Sequence, residues 1–93
     1  MVHLRTHKNS LELSRIDYLI LTSLFSKGAT SAILGLTIKE LEISEVQRTT
    51  IWKHISFLIN NELVCQSGYY GRQKMYYITE SGINQLGGQK YDE

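Results

Sequence analysis

Thr37-Ile38-Lys39-Glu40-Leu41, followed after a short gap by Arg48-Thr49-Thr50-Ile51-Trp52-Lys53-His54-Ile55-Ser56-Phe57-Leu58-Ile59-Asn60, decides how this 93-residue chain reads. Thr37 and Glu40 form a T-x-x-E capping box: the Thr37 hydroxyl accepts from an early backbone N–H while Glu40 reaches back. A short helix is therefore predicted from Thr37 to about Ile43 or Ser44. It goes no further, because an apolar periodicity of different phase begins a few residues later, which places a tight turn at Glu45 to Gln47. The second helix spans about Arg48 to Asn60. Ile51, Ile55, Leu58 and Ile59 fall at i, i+4, i+7 and i+8 and make one inward stripe. The opposite face carries Thr49, Lys53, Ser56 and Asn60, with Trp52 and Phe57 on its flanks. Asn60-Asn61 is expected to end the helix, since asparagine tolerates the left-handed conformation.

Outward from this pair, Ile16, Leu19, Ile20 and Leu24 recur at helical spacing, and Ser14 with Asp17 resembles an N-terminal cap. A helix from about Ser14 to Ser26 follows, with Gly28 as its terminator. Leu11 to Leu13 reads either as a lead-in turn or as an earlier part of the same helix. Ala29 to Gly35 is a connection of small residues, with a short strand near Ile33 to Leu36. Beyond the central helix, Leu63 to Tyr69 and Lys74 to Ile78 are rich in strand formers and bracket a hairpin loop, Tyr70-Gly71-Arg72-Gln73. Tyr76 and Ile78 alternate onto one strand face and read as core. Thr79 caps a short last helix running through Ile83 and Leu86, and Gly87-Gly88 is expected to stop it.

This order, with a polar-faced helix followed by a basic-tipped hairpin, is the layout of the winged helix-turn-helix. Thr37 to Leu41, Arg48 to Leu58 and Asn61-Glu62-Leu63-Val64 resemble the second helix, recognition helix and strand onset of bacterial regulators of the MarR, ArsR and PadR kind. Arg72-Gln73-Lys74-Met75-Tyr76-Tyr77-Ile78-Thr79-Glu80-Ser81-Gly82 is similar to their wing return strand and the Y-x-L-T-x-x-G junction after it. The compact form also resembles the small centromere-binding adaptors of plasmid partition systems that work with tubulin-like filaments. The fold so implied is α+β, mainly helical, with a C-terminal two-stranded β-hairpin wing. One domain over residues 1–93 is expected, with 1–13 and 87–93 flexible or peripheral. The resemblance implies double-stranded DNA as partner, a homodimer, and a role as repressor or as partition adaptor, the latter with a filament or other protein partner.

Composition limits the alternatives. A chain this short buries roughly 60 to 65% of its unfolded surface and gains from a partner subunit. No apolar run approaches the roughly 20 residues that cross a bilayer, and the first ten residues are polar, so neither a membrane span nor a secretion signal is expected and a cytoplasmic location is. Cys65 is the single cysteine, which excludes an intrachain disulfide and leaves the metal-sensing mode of ArsR proteins without its ligands. His3 and His7 stand four apart with no third ligand in view. No nucleophile with a base, paired carboxylates or phosphate-binding glycine loop is visible, so neither an enzyme nor a cofactor is expected.

The formal charge is only +1, but its distribution is uneven. From Gln47 to Tyr76, Arg48, Lys53, Arg72 and Lys74 face the single acid Glu62, a net +3, which leaves the remainder at −2. Thr49, Lys53 and Ser56 are candidates for base edges in the major groove, which admits one helix. Gln47 and Arg48 sit where the helix N-terminus approaches phosphate or a base. Arg72, flanked by Gln73 and Lys74, is the candidate for minor groove or phosphate, with Tyr70 donating to phosphate. Trp52 has two readings, a sugar or thymine-methyl contact or packing against the preceding helix or another subunit. Phe57 likewise covers the hairpin or belongs to a subunit interface, and His54 reads as a partly buried polar residue. The rival class is a protein-interaction module built on the aromatics Trp52, Phe57, Tyr69 and Tyr70.

Overall fold

The structure is a computed structural model and describes residues 11–90. Helix α1 spans Arg15–Ser26 and begins with a complete capping box: Ser14 Oγ accepts from the Asp17 N–H at 3.2 Å, and the Asp17 carboxylate accepts from the Ser14 N–H at 2.8 Å. Leu11 to Leu13 form a non-helical lead-in, and Leu11 and Leu13 pack on the core. The helix ends as expected, with Gly28 in the left-handed region at φ 81°. Its inward stripe is turned slightly from the predicted one: Asp17, Ile20, Leu21 and Leu24 are buried, while Ile16 and Leu19 are only partly covered. The polar Asp17 goes inward because it has a partner there, described below.

The strand expected near Ile33 to Leu36 is reduced to one bridge. Ala32–Leu34 is a 3-10 turn, and only Leu36 pairs, exchanging backbone hydrogen bonds of 2.8 and 2.7 Å with Tyr76. The physical reason is the capping box at Thr37, which starts a helix at once and leaves no room for extended chain. That helix, α2 (Ile38–Leu41), has both capping bonds, Thr37 N–H to Glu40 Oε1 at 2.9 Å and Glu40 N–H to Thr37 Oγ1 at 3.3 Å. It is shorter than predicted, because Glu42 takes a left-handed conformation at φ 56° and directs Ile43 and Val46 back onto the core. The turn falls at Ser44 to Val46, one residue early, with Glu45 at φ 69°.

Helix α3 spans Arg48–Asn60, as predicted, and buries Ile51, Ile55 and Leu58, with Ile59 half-buried. Its ending differs in mechanism. Asn61 is not left-handed; its side-chain amide donates to the Phe57 carbonyl at 2.9 Å, and the left-handed residue is Glu62 at φ 62°. Strands β1 (Val64–Tyr70) and β2 (Gln73–Ile78) form an antiparallel hairpin whose register runs from Val64 opposite Ile78 to Tyr70 opposite Gln73. Tyr70 and Gln73 are thus paired strand ends, and the tip is only Gly71 and Arg72, with Gly71 supplying φ 66°. Ser67 is the extra residue of a bulge between Gln66 and Gly68.

Helix α4 spans Glu80–Lys90. The Thr79 hydroxyl accepts from the Gly82 N–H at 3.1 Å and donates to the Glu62 carbonyl at 2.7 Å, tying the start of α4 to the end of α3. The expected stop at Gly87-Gly88 does not operate. Glycine costs a helix about 1 kcal/mol but, unlike proline, keeps its N–H, so the turns continue. One core joins all these elements, with Ile20, Leu21, Leu24, Leu41, Ile51, Ile55, Leu58, Leu63, Val64, Tyr76 and Ile78 buried. The fold is a winged helix-turn-helix: α2 and α3 are the helix-turn-helix, and β1 and β2 the wing.

Two glycines of α4 should respond in opposite directions. A Cβ at Gly82 would collide with the Leu63 carbonyl oxygen and lie 2.6 Å from Ile78 Cγ1, whereas nothing stands within 4 Å of one at Gly87. Gly82→Ala should cost about 1–3 kcal/mol through overpacking. Gly87→Ala should add about 0.5–1 kcal/mol through helix propensity. Thermal unfolding followed by circular dichroism reads both signs.

Candidate nucleic-acid interface

Helix α3 and the wing together form one surface. Gln47 caps α3 without a side-chain bond, so it, Arg48, Thr49, Trp52 and Lys53 stand exposed, while Ser56 is half-buried. On the wing Tyr70, Arg72 and Lys74 are exposed and Gln73 is half-buried. Between the two elements lies a cleft of about 370 Å³. Arg48, Thr49 and Trp52 line it from α3, Arg72, Gln73 and Lys74 from the wing, and Ile38 and Tyr76 complete it. Six of the residues singled out in the sequence therefore share one cavity, although Trp52 and Arg72 stand 20 positions apart in the chain.

Lys53 stands on the opposite flank of α3. It lines a shallower depression of about 330 Å³ with Phe57, His54 and Asp17, so Phe57 neighbours α1 rather than the hairpin. Tyr70 borders a separate hollow with Thr37, Lys39, Glu40, Glu42 and Gln73, and there the surroundings are acidic as well as basic. Tyr69 and Tyr70 are 62% and 72% exposed, which leaves both phenols free to donate. Trp52 is 49% exposed: one part of the ring lines the cleft beside Ile38 of α2 and the rest faces solvent.

The charges on this surface are unneutralised. Among the described residues the ion pairs are Lys27 with Glu42, at 3.1 Å, and His54 with Asp17, at 2.7 Å. None of Arg48, Lys53, Arg72 and Lys74 forms an ion pair with a carboxylate among the described residues. Four like charges held apart from acids repel one another and favour an anion. Tyr76, 3% exposed, has its phenol pushed above the ordinary value of 10.0 by burial and by Tyr69, with Arg48 acting the other way, so it stays a neutral hydroxyl at physiological pH.

Sequence reasoning missed two features here. Tyr76 was expected in the core and is there, yet it also lines the cleft, a second role that strand alternation does not signal. Asp17 reads as a helix cap, but Oδ1 also meets His54 Nδ1 at 2.7 Å while Oδ2 accepts from Ser14 N–H. This link joins α1 to α3 across 37 residues of chain. Cys65 is free and half-buried opposite Tyr77, whose phenol is raised above 10.0 chiefly by its hydrogen bond with the thiol. Among the described residues no group of histidine, cysteine or carboxylate side chains is placed to hold a metal; His3 and His7 lie outside them. No described helix is long and apolar enough to cross a membrane.

The fold and this surface define a winged helix-turn-helix with a basic face on α3 and the wing. No family model matches the sequence, and a search of curated proteins finds no match. Among solved structures the chain is similar to TubR from Bacillus megaterium pBM400, with a TM-score of 0.73 and 20% identity over 86% of this chain and 89% of that one. At that identity the likeness is one of fold.

Because Asp17 is buried and serves two elements, its loss should exceed that of a simple cap. Asp17→Ala should lower stability by about 2–3 kcal/mol, since it removes the cap bond and leaves His54 without its acceptor. Ser14→Ala, which spares the Asp17 bond to His54 and, besides the cap bond, removes only the longer 3.5 Å contact of the Ser14 hydroxyl with the same nitrogen, should cost about 1 kcal/mol. Urea unfolding monitored by circular dichroism separates the two.

Proposed function

We propose that this chain is a sequence-specific double-stranded DNA-binding protein that acts as a homodimer. Helix α3 reads the major groove with Thr49, Lys53 and Ser56, and Gln47 and Arg48 meet phosphate or a base at its N-terminus. The wing meets the backbone or minor groove with Tyr70, Arg72, Gln73 and Lys74. The observation that carries this reading is the gathering on α3 and the wing of four cations, Arg48, Lys53, Arg72 and Lys74, none of them in an ion pair among the described residues, in a chain of formal charge +1. A protein-interaction module would need no such segregation. Dimerisation is supported by large apolar side chains left in solvent: Ile33 and Leu34, 89% and 54% exposed on the 3-10 turn, and Phe25 at the end of α1.

Two roles use this chemistry, repression of transcription and adaptor function in plasmid partition. The likeness in fold to TubR of pBM400 and the sequence resemblance to small centromere-binding adaptors favour the adaptor. Footprinting on DNA from the gene's own locus distinguishes them: a cluster of repeated sites supports the adaptor and a single operator over a promoter the repressor.

Arg48→Ala, Lys53→Ala and Arg72→Ala should each weaken duplex binding in fluorescence anisotropy by roughly three- to tenfold at physiological salt. Each phosphate that a variant no longer neutralises should flatten the plot of log affinity against log salt by about 0.9. A dimer should protect half-sites about 34 Å apart. Undiminished affinity in all three variants would overturn the surface.

A further inference from the structure

The cleft between α3 and the wing differs chemically from the rest of the recognition face. Ile38, Trp52 and Tyr76 give it apolar walls, and Arg48, Arg72 and Lys74 surround them with positive charge, so neutral donors and acceptors for base edges are reduced to Thr49, Gln73 and the Tyr76 hydroxyl. Apolar walls inside a cationic rim complement a group that is apolar across its face and anionic at both ends. A deoxyribose with a phosphate on each side is such a group. The cleft volume, about 370 Å³, lies in the range of small-molecule sites. Its position fits as well: a helix in one groove and a wing at the next leave a single sugar-phosphate strand to pass between them.

We propose that this cleft seats one deoxyribose and its two flanking phosphates, with Trp52 packed on the sugar and Arg48, Arg72 and Lys74 on the phosphates. The proposal rests on the DNA-binding reading above and goes beyond it by giving Trp52 an affinity role that carries no sequence preference. Removing the indole releases no counterion and reads no base. Its loss therefore weakens every duplex equally and leaves the salt dependence unchanged, unlike the loss of a neighbouring cation.

Trp52 is the only tryptophan in the chain, so intrinsic fluorescence reports this cleft directly. The full chain is titrated with thymidine 3′,5′-bisphosphate, and labelled duplexes from its own locus and of unrelated sequence are followed by anisotropy. Saturable change of the Trp52 emission and displacement of duplex by the bisphosphate are expected. Trp52→Ala, checked for folding by circular dichroism, should lose roughly tenfold in affinity for both duplexes, the order of one aromatic contact to a nucleotide. Trp52→Phe should recover most of it. Loss confined to the locus duplex would show that Trp52 reads a base and would overturn the proposal, as would duplex binding that leaves emission and the alanine variant's affinity unchanged. If no duplex binds even at low salt, the DNA reading itself falls; a saturable bisphosphate response would then still support a nucleotide seat, and its absence would overturn both.

Discussion

A carboxylate withdrawn from water is costly unless both of its oxygens find donors. Asp17, 3% exposed, meets that constraint with the Ser14 N–H on one oxygen and His54 Nδ1 on the other. One bond completes the cap of α1, and the other fixes the middle of α3 against it. The apolar stripe of Ile51, Ile55 and Leu58 sets which side of α3 faces inward, but a stripe tolerates some rotation. A directional bond of 2.7 Å tolerates much less, so the link defines the roll of α3 and with it the directions of Lys53 and Thr49. The inward turn of Asp17 also explains why Leu21 is buried and Ile16 only partly so.

The wing is placed by an equally local device. Leu36 lends two backbone bonds to Tyr76, making a third strand one residue long, and Tyr76 presents its ring to the cleft from that anchored position. Ser67, at the bulge, has a buried hydroxyl without a hydrogen-bond partner among the described residues, a polar cost located at the irregularity of β1. The cleft is thus a product of three separate segments: α2 contributes Ile38, α3 contributes Arg48, Thr49 and Trp52, and the hairpin contributes Arg72, Gln73, Lys74 and Tyr76.

How much of this the sequence declares depends on whether the signal is local. Both capping boxes, at Ser14 and Thr37, and the whole extent of α3 are legible, because cap chemistry and a period of 3.6 act within one helix. The early end of α2 is not, since it depends on left-handed backbone at Glu42, and the same holds for Glu45 and Glu62; none is a residue type that announces such a conformation. The glycine pair in α4 misleads for the opposite reason, as the tendency to break a helix is weak beside continuing backbone hydrogen bonds. Most of the candidate interface was visible as basic and aromatic residues at two places in the chain. Their convergence on one cleft was implied only through the resemblance in fold, and the roles of Tyr76 and Ile38 in it were not visible, because Tyr76 reads as core and Ile38 only as part of the capped helix start.

The hairpin's fastening has a mechanical consequence. Its root, from Val64 and Ile78 to the Leu36 bridge, is held by the core, while beyond the bulge Tyr69, Tyr70, Gly71 and Arg72 are all exposed, Tyr70 and Arg72 bordering open hollows rather than the core. Such a ribbon is a cantilever, stiff at its base and compliant at its end. The gap between Trp52 and Arg72 therefore lies between one rigid jaw and one yielding jaw, so that its width is set by the wing tip while α3 stays fixed against the core.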